Sequence, residues 1–362
     1  MSNFYCPRIK NGIAFTPNRD YDVCGVRDLN NSSKLGISST SLNDFLSSDY
    51  RKNLLETANK GEWPKGCEGC FWLENISLQS PRQQEIALEK QNGTRPLVHF
   101  NSGSICDSDC IMCGPRWSTS IANRLKKHPA PSDSYFTLGN DGIDLPSDKT
   151  SLENLKNAIA ISKRLKVVGG EPLLDKKLWK FLDEVTQDNN NFEFIISSNG
   201  NNYPSKYQLG ILQKFAKVNF IFSIDGTGPT FEWIRQNLNY KAVIKHYLKI
   251  KALSNVTCHV TAVVQAHNVL NLKSMMDSFK TNIGFNMLTH PALLSIRNAP
   301  RWTLERALEE TKGHSDLQTM LMLSLKAGPT HDLESLIKHT KYLNGHRTHY
   351  FDTDTWSVQK KS

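Results

Sequence analysis

Cys106, Cys110 and Cys113 stand in the run Ile-Cys-Asp-Ser-Asp-Cys-Ile-Met-Cys-Gly-Pro, a Cys-x3-Cys-x2-Cys spacing. Three thiolates this close can hold three corners of an iron–sulfur cubane and leave the fourth iron open for chemistry. Soft thiolates also suit zinc, but a structural zinc site closes on four ligands. Around this loop only His99 offers itself as a fourth. A second run, Val167-Val168-Gly169-Gly170-Glu171-Pro172, places two glycines where backbone can approach a ligand closely. Glu171 can accept hydrogen bonds from an ammonium group, and Pro172 suits the start of a helix. Upstream, Cys6, Cys24 and the pair Cys67 and Cys70 in Lys-Gly-Cys-Glu-Gly-Cys-Phe-Trp make a complete set of four. On spacing alone that set reads as a structural zinc site.

These residues belong to a chain of 362 residues, 38% hydrophobic and 22% charged, which fits a folded globular protein with a large core. No apolar run has the length to span a bilayer, and the first residues lack a signal-peptide pattern, so a cytoplasmic location is expected. In a reducing compartment clustered cysteines point to metal rather than to disulfides. The isolated Cys258 reads as core packing. The formal charge is +9, but the basic residues are scattered without interleaved aromatics. Nucleic-acid binding is therefore permitted and not indicated.

Residues 1–93 are rich in turn formers, with helical patterns over 42–59, where Ser41 and Asp44 suggest an N-terminal cap, and over 81–91. From residue 95 short apolar runs alternate with helical segments. Strands are expected over 97–101, 165–169, 192–197, 218–224, 256–264 and 285–290. Helices are expected between them over 118–127, 152–161, 176–187, 206–217, 240–253 and 270–280, with an irregular insertion over 130–149. The alternation predicts an α/β fold with a parallel sheet, open or curled toward a barrel. One strand face turns polar toward the C-terminal ends, where β/α barrels carry their active sites. The period of two places Cys258 on the helix-facing side and His259 and His290 on the open side or its rim. Arg235 reads as a surface ion pair. Three further helices over 303–312, 317–326 and 333–342 precede an aromatic and polar tail expected to pack against the barrel.

The cysteine loop after the first of these strands and the Gly-Gly-Glu-Pro run after the second, taken in register, resemble the radical S-adenosylmethionine (radical SAM) superfamily over roughly residues 95–300. The resemblance implies a partial (β/α)6 barrel core over 94–300, a small cysteine-rich domain over 1–93 and a helical C-terminal extension over 301–362. It implies that Cys106, Cys110 and Cys113 ligate a [4Fe–4S] cluster whose open iron binds S-adenosylmethionine (SAM). Gly169, Gly170 and Glu171, with Pro172 behind them, would hold the methionyl amino group. Met112 stands where an aromatic ring is common. Ser197, Ser198 and Asn199, then Ser223 and Asp225, then Gln265 and Asn268 would be the polar contacts at successive strand ends; ordinary turn and capping chemistry is the alternative for each. The implied reaction is reductive cleavage of SAM to a 5′-deoxyadenosyl radical that abstracts a hydrogen atom, an oxidoreductase chemistry fed by an external one-electron donor such as flavodoxin or ferredoxin.

Cys6, Cys24, Cys67 and Cys70 are similar to the twitch or SPASM auxiliary-cluster domains of that superfamily, although those usually follow the barrel. The likeness implies a second [4Fe–4S] cluster for electron transfer or structure, with zinc as the alternative. The expected substrate is a peptide or a small molecule. Modification of a nucleobase or nucleotide is a competing reading, and a non-catalytic zinc- or cluster-stabilised binding protein is another.

Overall fold

The computed structural model describes residues 4–15, 21–27, 36–37, 41–130, 149–188 and 191–357. Apart from its ends, the expected insertion over 130–149 lies outside them. Ten strands lie among the described residues: β1 (Ile13–Phe15), β2 (Tyr21–Asp22), β3 (Leu97–Asn101), β4 (Asp109–Cys110), β5 (Arg164–Val168), β6 (Glu193–Ser198), β7 (Lys217–Ser223), β8 (Arg235–Gln236), β9 (Val256–Val264) and β10 (Ile283–Met287). Eight of them form one sheet in the order β10-β9-β7-β6-β5-β3-β1-β2, and β4 pairs with β8 in a separate ribbon. Within the large sheet every pairing is parallel except that of β2 with β1.

From β3 to β10 each strand of the sheet neighbours the next one in sequence. Right-handed crossovers taken always in one direction put all connecting helices on one face. The burial pattern agrees. On β9, Val256, Cys258, Val260, Ala262 and Val264 are buried, while Thr257 and His259 are exposed and Thr261 and Val263 half-buried. β7 repeats this with Val218, Phe220 and Phe222 against Asn219, Ile221 and Ser223. The apolar face packs under the helices Lys176–Asp188, Lys206–Lys214 and Tyr240–Lys251. Phe194 stacks on Phe215 at 4.7 Å there, and Phe222 meets Tyr247 edge-on. Each such ring contributes about 1.5–3 kcal/mol by burial. The other face carries Asn219, Ser223, Thr257, His259 and Thr261 together with Ile221 and Val263.

The helices begin where the sequence caps them. Ser80 with Gln83 and Ser205 with Gln208 close full capping boxes, and Asn239 accepts from the Ala242 N–H. Ser41 accepts from the Asp44 N–H, as its spacing suggests. The helix expected over 42–59 is two helices, Leu42–Ser47 and Asp49–Asn59. Ser48 leaves helical geometry at ψ 148° and caps the second helix through the Arg51 N–H. The sheet also runs across position 93, because β1 pairs in parallel with β3 through Ile13–Val98, Ala14–His99 and Phe15–Phe100.

At the other end of the chain the helices Arg301–Glu310, Ser315–Ala327 and Leu333–Asn344 lead to a tail that folds back on Trp233. The indole stacks on His267 at 4.6 Å and lies 5.0 Å from Phe351; its N–H donates to Asn344 Oδ1. The Arg347 guanidinium sits over the same ring. Among the described residues no helix is long and apolar enough to cross a membrane. Trp233→Ala should lower the unfolding free energy by about 3–5 kcal/mol and free the tail. Urea denaturation, together with faster proteolysis after residue 344, checks both.

Candidate active site and cysteine centres

Beyond β3 the chain does not turn away from the sheet at once. The Ser102 N–H donates to the Val168 carbonyl at 2.8 Å, the Gly170 N–H to Gly103 at 2.7 Å and the Glu171 N–H to Ile105 at 2.7 Å. The two loops that follow β3 and β5 are thus zipped together by backbone. Gly169 has φ +143°, and a Cβ there would stand 2.8 Å from the Gly103 oxygen. A Cβ on Gly170 would stand 2.3 Å from the Ile105 oxygen. The close approach that these glycines permit is to the cysteine loop itself. Glu171 then caps the short turn Pro172–Leu174.

The loop carries its three thiols into a crowded site. Cys106 is tied to Thr119, whose hydroxyl accepts from its N–H and donates to its carbonyl, each at 3.1 Å. The Ser108 hydroxyl lies 2.9 Å from Cys110 Sγ. Cys110 pairs with Arg235 across the β4–β8 ribbon, and Arg235 Nη1 is 3.5 Å from its sulfur. Arg235 also donates through Nε to Asp225 Oδ2 at 2.7 Å, and Asp225 Oδ1 takes the Val263 N–H at 2.7 Å. Asp225 is fully buried. The expectation of a surface pair at Arg235 is therefore corrected: the pair is buried and braces a cysteine. Asp109 is held by Arg124, and its carbonyl accepts from Arg347 Nη2 at 2.7 Å. Burial first, then the charge of Cys110, pushes the Cys113 thiol up to about 12 and raises Cys106 as well. Burial also raises Cys110, against the pull of Arg235. Thiols raised in this way stay protonated near neutral pH and give up their protons when they ligate a metal.

The remaining strand-end residues gather around the same loop. Glu171 is 1% exposed. Its Oε1 accepts from the Leu173 N–H at 3.0 Å and the Ser198 hydroxyl at 2.8 Å, and its Oε2 from the Asn199 N–H at 2.7 Å. Burial pushes the carboxyl up to about 7 in spite of these bonds. Asp107, between two ligand candidates, accepts from the side-chain amides of Asn199, Asn201 and Asn202 at 2.7, 2.9 and 2.8 Å. Asp107 carries no sequence signal beyond the asparagine-rich run after β6. Ser197 and Ser223 are half-buried on the open face, and Met112 packs partly against the core. The Asn268 amide is spent on the Asp225 and Val263 carbonyls and its oxygen on the Gln265 N–H. Gln265 is fully buried, and neither its amide oxygen nor its nitrogen has a protein partner. Leaving two such atoms unpaired is costly, so a polar ligand group fits there.

Other candidates stand elsewhere. Cys258 is on the helix-packed face, His290 is exposed, and His99 lies under Gly25, where a Cβ would stand 2.4 Å from its ring. A cavity of about 410 Å³ opens at the N-terminal ends of β5, β6 and β7, lined by Arg164, Glu193 and Lys217 among others.

The four upstream cysteines come together. Cys6 precedes the helix Pro7–Asn11, Cys24 follows β2, and Cys67 and Cys70 flank the first turn of Glu68–Asn75. Burial and the neighbouring thiols push Cys6 up to about 11 and Cys67 up to about 12, and raise Cys70. Three arginines face them, each paired with a carboxylate: Arg8 with Glu85, Arg27 with Asp22 and Arg82 with Glu74. Among the described residues no three His, Cys, Asp or Glu converge as ligands of a single ion would.

No family model matches the chain, and no curated protein matches it. Among solved structures it is similar to native anSMEcpe with bound AdoMet, at 14% identity over 65% of this chain and 63% of that one, with TM-score 0.44. It is similar to Streptococcus suis SuiB bound to precursor peptide SuiA, at 16% identity over 78% and 54%, TM-score 0.39. It is also similar to TYW1 with a lysine-pyruvate adduct bound, at 12% identity over 58% and 69%, TM-score 0.35. The chain spans 58% to 63% of the length of the anSMEcpe chains it matches. At these values the likenesses carry no argument about chemistry.

Gly170→Ala must displace backbone, and should lower the unfolding free energy by about 1–3 kcal/mol. Gly69→Ala adds a methyl with nothing within 4 Å and should leave stability unchanged or raise it by up to roughly 1 kcal/mol. Parallel urea melts check the contrast; equal effects would show the two loops to be loosely joined.

Proposed function

We propose that this chain is a radical SAM enzyme, with Cys106, Cys110 and Cys113 as the ligands of a [4Fe–4S] cluster that binds SAM at its open iron. The observation that carries the reading is the zipping of the three-thiol loop to the Gly169–Gly170–Glu171 loop by backbone hydrogen bonds. That contact sets a carboxylate and three thiols side by side at the C-terminal edge of a parallel sheet. The donor set fits the group. A cubane asks each thiolate for its own iron, so the thiols need not meet at a point. Glu171 Oε2 accepts one protein hydrogen bond and so keeps room for an ammonium donor. The unpartnered Gln265 amide supports a polar ligand at the same end.

Bound there, the two cofactors supply one-electron cleavage of SAM and a 5′-deoxyadenosyl radical able to take a hydrogen atom from an unactivated carbon. The protein's part is positioning. Arg235, held by Asp225, places a positive charge against Cys110; Asp107, fixed by three asparagines, ties the loop to the end of β6. Ser197 and Ser223 offer uncharged polar contacts on the open face. A polar surface of this kind suits a peptide or a small polar molecule, with the electron arriving from an external donor. In the same reading Cys6, Cys24, Cys67 and Cys70 hold a second, closed [4Fe–4S] cluster. Three facing arginines support an anionic centre there.

Anaerobic reconstitution with iron and sulfide should give about eight irons per chain, and dithionite with SAM should yield 5′-deoxyadenosine. Cys106→Ala should abolish that product while retaining about four irons at the upstream site. Zinc in place of iron, or no product from fully loaded protein, would overturn the assignment.

A further inference from the structure

A chain of buried ions runs from the upstream cysteines into the sheet. Arg8 Nη1 lies 3.7 Å from Cys24 Sγ, and its Nη2 lies 3.0 Å from Glu85 Oε1. The other Glu85 oxygen binds Arg164, the first residue of β5. All three are buried. The other two arginines near the four thiols are engaged differently. Arg27 is spent on Asp22, the Tyr50 hydroxyl and the Lys65 carbonyl, and Arg82 on Glu74 and the Tyr5 carbonyl. Among the described residues Arg8 is the guanidinium in hydrogen-bonding range of a sulfur of this set.

The charge count beside Cys24 is uneven. Among the described residues Arg8, Arg164 and Lys166 surround the carboxylate of Glu85, while Asp22 nearby is taken by Arg27. Lys166 stands two residues along β5 and feels the fields of Arg8, Glu85 and Cys24. Neighbouring His99 is kept neutral by burial and by those cations. These described ions carry two positive charges in excess, and a cubane held by four thiolates, a dianion at rest, would offset them.

We propose that Arg8 sets the reduction potential of the upstream cluster by donating to Cys24, with Glu85 and Arg164 holding it in place. The inference rests on the reading of Cys6, Cys24, Cys67 and Cys70 as ligands of an iron–sulfur cluster. Reduction adds an electron to a buried anion. A fixed positive charge against one of its sulfurs stabilises the reduced form more than the oxidised one and raises the potential. Hydrogen bonds to ligand atoms act in the same direction. Arg8 is a positioning and tuning residue here; it does not touch substrate.

The test uses the full chain carrying Cys106→Ala, Cys110→Ala and Cys113→Ala, so that only the upstream site can hold iron. Iron and sulfide analysis comes first: zinc, or no iron, sinks the auxiliary-cluster reading itself. With about four irons present, EPR-monitored titration compares Arg8 with Arg8→Gln and Arg8→Lys. At a fixed potential the reduced-to-oxidised ratio should fall at least tenfold in Arg8→Gln, a downward shift of about 59 mV for one electron. Arg8→Lys, which keeps the charge and loses the fork, should recover part of it. A loaded Arg8→Gln cluster whose ratio changes less than about threefold, near 28 mV on the same scale, overturns the proposal; it would make Arg8 a purely structural residue. If Arg8→Gln binds no iron, Glu85→Gln decides by sign, because removing the carboxylate leaves Arg8 uncompensated. An upward shift supports the proposal, and no shift or a downward one overturns it.

Discussion

The site depends on two positions that lack a Cβ. Gly169 and Gly170 let the chain after β5 lie against the chain after β3 at hydrogen-bonding distance, where any side chain would collide with the Gly103 or Ile105 oxygen. Glu171, and through it the end of β6, is set against the cysteine loop by this contact. Glu171 is delivered into a fully enclosed position and is fixed there by β6 through Ser198 and Asn199. Asn199 in turn reaches Asp107 in the cysteine loop. Three successive strand ends are thereby locked to one another by backbone and carboxylate bonds. The loop anchors through Ile111, which is fully buried in the core, and these bonds fix the strand ends around that anchor.

Buried ion pairs supply the second constraint, and they follow one plan at both cysteine groups. At Cys110 the partners are Arg235 and Asp225; at Cys24 they are Arg8 and Glu85. In each the guanidinium spans a sulfur and a carboxylate. A buried arginine without a counter-charge is expensive, and one neutralised completely by its carboxylate has little field to give. Sharing the fork between carboxylate and sulfur meets both demands. It also connects each cysteine group to the large sheet, through Asp225 just past β7 and through Glu85 to Arg164 on β5.

Much of this architecture is legible in the sequence, for a physical reason. β9 is expected over 256–264 and occupies Val256–Val264, because seven residues of strict alternation, ended by Val263, define a half-buried strand. Three- and two-residue strands carry no such signal, and β1 and β2 go unseen although β1 extends the parallel sheet. The strand-end residues are legible as a group; their partners are not. Gly169 and Gly170 read as making room for a ligand, whereas the nearest obstacle is the neighbouring loop. Arg235 reads as a surface cation because neither Asp225 nor Cys110, 125 residues away in sequence, announces itself as its partner. Asp107 is unremarkable until three asparagine amides are seen to converge on it.

The grip of Arg347 on the Asp109 carbonyl has a consequence for how the protein is made. The two residues are 238 positions apart. At roughly 5–20 residues per second on the ribosome, Asp109 and its flanking cysteines emerge about 12–48 seconds before the arginine that will brace them exists. Over that interval the loop carrying Cys106, Cys110 and Cys113 lacks the Arg347 brace on Asp109. The cysteine loop therefore takes its final bracing late in synthesis, once the C-terminal tail has emerged.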